Sequence, residues 1–189
     1  EGFVDRVIID GEIRGPESLL RAYGEKITAS RPLKASDLER YLLLMDDLPG
    51  VGVRSVLAPS PIRTGASDLI ITLTHDLAEG LATFDNRGTR FIGPLQASIA
   101  GKVNSPFRLY EMTAARFITT RPTRELRYYE LAHEQQLGAE GTKLILAGNL
   151  SISRPGFTLK EADIRGLNRS LTVRLSHPFI RGRRQNLVA

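Results

Sequence analysis

Three histidines, His75, His133 and His177, and the carboxylates Glu39, Asp46 and Asp47 are the side chains here best suited to metal binding or proton transfer. The histidines are widely separated and bring no ligand cluster with them, so they read as surface or strand residues. Asp46 and Asp47 close a helical stretch, where a solvated acidic end explains them better than general acid–base work. Gly50-Val51-Gly52 is too short to cradle phosphates and reads as a helix-to-strand turn. No nucleophile elbow, P-loop or dinucleotide fingerprint is present. The absence of cysteine removes disulfides, thiolate sites and thiol nucleophiles, and it suits either redox compartment. No enzyme activity, metal or cofactor is expected, which leaves recognition through the backbone.

The chain has 189 residues, 41% hydrophobic and 25% charged, an ordinary globular mixture. Its net charge of +5 is weakly clustered apart from Arg181-Gly182-Arg183-Arg184. Without a basic helix or an aromatic stacking pair, no nucleic-acid partner is expected. No apolar run approaches the roughly 18 residues of a transmembrane helix. A membrane β-barrel stays open, because its alternating strands leave hydropathy ordinary. The chain opens at Glu1 with neither Met nor an apolar leader, so a processed or excised piece is expected.

The elements that must position any binding surface fall into two parts, 1–78 and 79–189. Residues 3–13 read as a strand rich in β-branched side chains. A helix follows from Pro16 to about residue 29, with Leu19, Leu20, Tyr23 and Ile27 on one face. A second helix is expected from Ser36, with Glu39 at capping-box spacing and a buried stripe of Leu38, Tyr41, Leu42 and Met45. Strands at 51–57 and 68–74 complete a βααββ unit, two helices on a three-stranded sheet. Beyond residue 79 the rhythm changes to strands at about 80–85, 94–103, 110–119, 125–136, 142–153 and 170–178. Leu95, Ile99, Leu144, Leu146, Leu150, Leu171 and Leu175 fall on one face of their strands, opposite residues such as Lys102, Lys143 and Arg174. The fold class expected is α+β.

In this order the segments resemble the outer-membrane transporters of two-partner secretion systems, the haemolysin activation/secretion family. The βααββ unit resembles their barrel-proximal polypeptide-transport-associated (POTRA) domain. Phe84-Asp85-Asn86-Arg87-Gly88-Thr89-Arg90-Phe91-Ile92-Gly93-Pro94 resembles the first strand and turn of their barrel. Further matches are Arg127-Tyr128-Tyr129, Leu137-Gly138 with Gly141-Thr142, and Pro178-Phe179-Ile180-Arg181 leading into Arg183-Arg184-Gln185-Asn186-Leu187. The sequence departs from the family in holding one such domain, only the opening strands of a barrel, and no Val-Arg-Gly-Tyr type motif.

The resemblance implies a POTRA domain in the periplasm and a partial antiparallel β-barrel in the outer membrane, with lipid and an extended secreted protein as partners. It places the second strand of the POTRA domain at a sheet edge that takes the client by β-augmentation. Arg54, Ser55, Val56 and Leu57 are expected to form that edge, with Val56 among its donors. Leu38, Tyr41 and Leu42 would flank it from the neighbouring helix. Arg87, Arg90, Lys102, Lys143 and Arg174 are expected to line the pore, and the leucine face to meet lipid. Open strand edges also allow self-association. Two other readings fit the same residues: an outer-membrane insertase of the same superfamily, and a soluble β-rich binding protein.

Overall fold

A computed structural model describes residues 2–189 of the chain. The first part runs β1 (Phe3–Gly11), α1 (Glu17–Ala29), α2 (Ala35–Asp46), β2 (Val51–Pro59) and β3 (Ala66–His75), the βααββ order read from the sequence. β3 lies between the other two strands, parallel to β1 and antiparallel to β2. Leu69, Ile71 and Leu73 of β3 are buried and alternate with the exposed Ile70, Thr72 and Thr74, so one sheet face receives the helices. Leu20, Tyr23 and Ile27 of α1 and Met45 of α2 meet that face and Val4 in the core.

Two local expectations fail in α2. Lys34, not Ser36, is its cap residue, and no side chain caps it. The orphan donors are met from the preceding turn, where the Ser30 hydroxyl accepts the Lys34 N–H at 3.1 Å and lies 2.8 Å from Asp37 Oδ2. Glu39 is drawn away from any capping box because it accepts the backbone N–H of Arg183, far along the chain. The buried residues are also different. Met45 is buried as expected and Leu44 is buried with it, while Leu38, Tyr41 and Leu42 are half-buried against the core. The reason is that α2 is covered on two sides. Met45 faces the sheet, whereas Leu44 abuts Gly141, where an added Cβ would come within 2.5 Å of it.

The second part is an antiparallel meander in one sheet: β4 (Ala78–Asp85), β5 (Leu95–Asn104), β6 (Glu111–Arg121), β7 (Leu126–Leu137), β8 (Thr142–Ser153) and β9 (Gly166–Ser176). A short hairpin of β10 (Pro178–Arg181) and β11 (Asn186–Val188) follows. The last long strand starts at Gly166, earlier than expected, and a 3-10 turn at Phe157–Ala162 precedes it. Tyr110, expected to begin a strand, has left-handed backbone (φ 55°) and joins the core of the first part. It is the one buried hydrophobic residue outside residues 4–73 among those described. The six-stranded sheet therefore has no core of its own, and no second layer packs across it among the described residues. No described helix is long and apolar enough to cross a membrane.

Candidate functional site

A groove of about 390 Å3 runs between α2 and the outer edge of β2, lined by Leu38, Glu39, Leu42, Asp46, Val53 and Ser55, with Arg183 at its rim. Among the described residues β2 pairs only with β3, which leaves its other side without a strand. The backbone decides which groups that side offers. The Val53 N–H donates to Asp46 Oδ1 on α2 at 3.0 Å, away from β3. At the two ends of the ladder, Asp76 N–H reaches the Gly50 carbonyl and Ser60 N–H the Ala66 carbonyl. Alternation along an antiparallel pair then points the Ser55 and Leu57 N–H groups outward and commits those of Arg54 and Val56 to β3. The expectation that Val56 supplies an edge donor is corrected: its N–H belongs to the sheet.

The side chains divide in the same way. Arg54 and Val56 lie opposite Thr72 and Ile70 on the face without helices, and Val56 joins Ile8 and Ile70 in an exposed apolar row. Leu57 is exposed at the same edge strand. Leu38 and Leu42 line the groove. Tyr41 does not; its hydroxyl sits 3.4 Å from Glu140 Oε1, in the seam between the two parts. Glu39, Asp46 and Arg183 were missed as groove residues. Arg183 was legible only as charge, since nothing local shows that the chain returns to α2.

That seam is extensive. Arg181 grips Asp47 with two bonds, 2.6 and 2.7 Å, and Asp47 in turn holds the guanidinium charged. Arg40 donates to Glu140 and to the Pro178 carbonyl. Burial works to raise the Glu140 pKa, but hydrogen bonds from Lys26 and Arg40 outweigh it and hold the carboxyl below its usual range. Lys143 Nζ donates to the Asp47 carbonyl at 3.0 Å and pairs with Glu134 at 2.8 Å. The Tyr110 ring lies over Gly15, where an added Cβ would come within 2.4 Å of it. Burial pushes the Tyr110 hydroxyl up to about 12 and raises that of Tyr23. At the junction itself, burial lowers the pKa of His75, and the charge of Arg14 adds to the effect.

The register of the sheet sorts its two faces, because directly opposed residues point the same way. Ile99, Phe117, Tyr129 and Leu150 form one row, and Gly101, Ala115, Leu131, Gly148 and Leu171 another. Leu95, Leu144, Leu146 and Leu175 share that face by the same alternation. It is uncovered: Leu171 is 80% exposed, Leu175 61%, Ile99 60% and Leu131 59%. The opposite face carries Lys102, Arg116, Tyr128, Glu134, Lys143, Thr172 and Arg174. Lys102 pairs there with Glu79 at 2.9 Å. Arg87 and Arg90 stand apart from these rows, in the turn between β4 and β5. His133 lies 2.9 Å from the Thr113 hydroxyl and His177 2.8 Å from that of Thr142.

No protein-family model matches the chain, and no curated protein is similar to it by sequence. Solved structures do match. CdiB from Escherichia coli shares 18% identity at a TM-score of 0.69, over 96% of this chain and 34% of that one. CdiB from Acinetobacter baumannii shares 18% at 0.61, over 96% and 35%. BamA from Haemophilus ducreyi lacking POTRA domains 1-3 shares 10% at 0.55, over 94% and 32%. The chain thus has the fold of about a third of these proteins, and the resemblance read from its residues holds at that level.

Proposed function

We propose that the chain is part of an outer-membrane protein transporter of the two-partner secretion type. The βααββ unit is its periplasmic POTRA domain, and β4 to β9 are strands of a β-barrel wall. An extended secreted protein docks along β2 in the α2 groove, using the outward Ser55 and Leu57 N–H groups. It then passes the polar sheet face that carries Lys102, Lys143 and Arg174. The reading involves no catalytic step. Affinity of this kind comes from main-chain bonds and is tolerant of sequence, as an unfolded client requires.

The observation that carries this reading is the uncovered leucine face. A water-soluble sandwich would bury that face under a second layer, whereas a membrane strand leaves it for lipid. The fold likeness to CdiB supports the same reading. The edges of β4 and β9 are unpaired within the described chain, open to further strands or to a second copy.

The test uses adjacent residues of β9 that face opposite ways. In chain folded into phospholipid vesicles, Leu171→Arg should cost about 2–4 kcal/mol, and Thr172→Arg should be tolerated. Equal effects of the two would refute a wall with one oily and one wet side.

A further inference from the structure

The turn between β5 and β6, residues 105–110, is built at visible conformational cost. Ser105, Arg108 and Tyr110 all have left-handed backbone, with φ of 51°, 60° and 55°, a region that side chains other than glycine rarely occupy. The turn is fixed from beneath by Glu111, whose side chain is wholly buried. One carboxylate oxygen of Glu111 accepts the Phe107 N–H, and the other accepts the Leu109 N–H at 2.7 Å. Gln135 Nε2 holds the Leu109 carbonyl at 3.0 Å. So rigid a turn would normally hide its apolar side chains, yet Phe107 is 73% exposed and Leu109 50%. Between them Arg108 is exposed, and its guanidinium has no partner among the described residues.

Register says which way the turn faces. Glu111 opposes Gln135, and Gln135 opposes Leu144, so all three lie on the leucine face. The turn that caps the Glu111 carboxylate therefore folds onto that face, at its end nearest the βααββ unit. We propose that Phe107 and Leu109 anchor the chain in the periplasm-facing leaflet, with Arg108 on the phosphate of an anionic phospholipid. This rests on the reading of the leucine face as lipid-exposed. Two observations select lipid as the occupant. The apolar pair continues that uncovered face, and the lone cation between the pair matches a layer of acyl chain beneath anionic headgroups.

The chain contains no Trp, so single Trp substitutions act as clean depth reporters. The full chain carrying Phe107→Trp, or Leu131→Trp on a central strand, is folded into phosphatidylcholine vesicles with and without phosphatidylglycerol. Both reporters should shift to the blue, and bromines placed near the headgroup end of the acyl chains should quench Phe107→Trp more strongly than Leu131→Trp. Arg108→Gln should weaken binding to phosphatidylglycerol vesicles about fivefold, the share of one surface-bound basic side chain, and leave pure phosphatidylcholine binding unchanged. A blue shift for Leu131→Trp alone overturns the anchor and leaves the turn facing water or a protein. The absence of a shift at both positions overturns the lipid-facing wall itself.

Discussion

Proline substitutions at the neighbouring positions Ser55 and Val56 distinguish the free edge of β2 from its ladder. Val56→Pro removes a donor from the β3 ladder and leaves the facing Ile70 carbonyl short of a partner, a loss of about 1–3 kcal/mol. It also presses a ring toward β3. The Val56 side chain is 63% exposed, so little packing is lost. A unit of this size has only about 4–10 kcal/mol of stability, and each kcal/mol moves Tm by roughly 4–8 °C. Val56→Pro should therefore lower the melting of the βααββ unit by about 10 °C or more. Ser55→Pro places its ring on the outer side of an edge strand, where proline is tolerated, and Tm should move by only a few degrees. Its effect should fall on the client. One outward bond is lost, about 1 kcal/mol, and the ring obstructs the incoming strand. Fluorescence polarisation with the secretion domain of the partner protein should show at least about fivefold weaker binding. Equal melting shifts for the two variants would refute the alternation deduced from Val53 and Asp46. Unchanged binding by Ser55→Pro would refute β2 as the docking strand.

The seam gives further predictions. Tyr110→Ala should cost about 3–5 kcal/mol in thermal unfolding of the βααββ unit. Tyr110→Phe should match or exceed the parent, because the buried hydroxyl it removes has no partner. His75 is held below its ordinary pKa by burial, so the unfolded state binds the proton more readily. Stability at this junction should be complete above about pH 6.5 and fall as the pH drops below it, and His75→Phe should flatten the urea-unfolding profile there. Asp47→Asn should free the β10–β11 hairpin and speed proteolysis near Gly182. The ion pair is partly exposed, so the loss of stability should be small, under about 1 kcal/mol.

The sequence was most legible where one physical period dominated. Residues 142–153 keep Leu144, Leu146, Leu150 and Ile152 on one face, and the bounds read for this strand are those the structure gives it. α1 was placed to within a residue because Leu20, Tyr23 and Ile27 recur at helical spacing below Pro16. What escaped depended on distant partners. Ser36 and Glu39 have capping-box spacing, but Glu39 is used by Arg183, and no local pattern reveals that. Leu44 falls outside the stripe read for α2 because its cover, around Gly141, arrives about a hundred residues later. Tyr110 suits a strand by propensity, and only the demand of the Gly15 hollow forces it into a left-handed turn. Val56 was misread for a different reason: strand parity fixes side chains, but which face of the strand pairs depends on its neighbour.

The position of Tyr110 ties the packing of the first part to the folding of the second. Its ring completes the interior of the βααββ unit but is delivered by the first return of the chain through the sheet. A polypeptide cut after Leu77 would fold with a hole above Gly15, softer and more easily degraded than the same unit in place. As the chain folds, the βααββ unit reaches its final packing only once β4 has gone out and β5 has come back. Its rigidity thereby becomes a readout that the six-stranded sheet has begun to form.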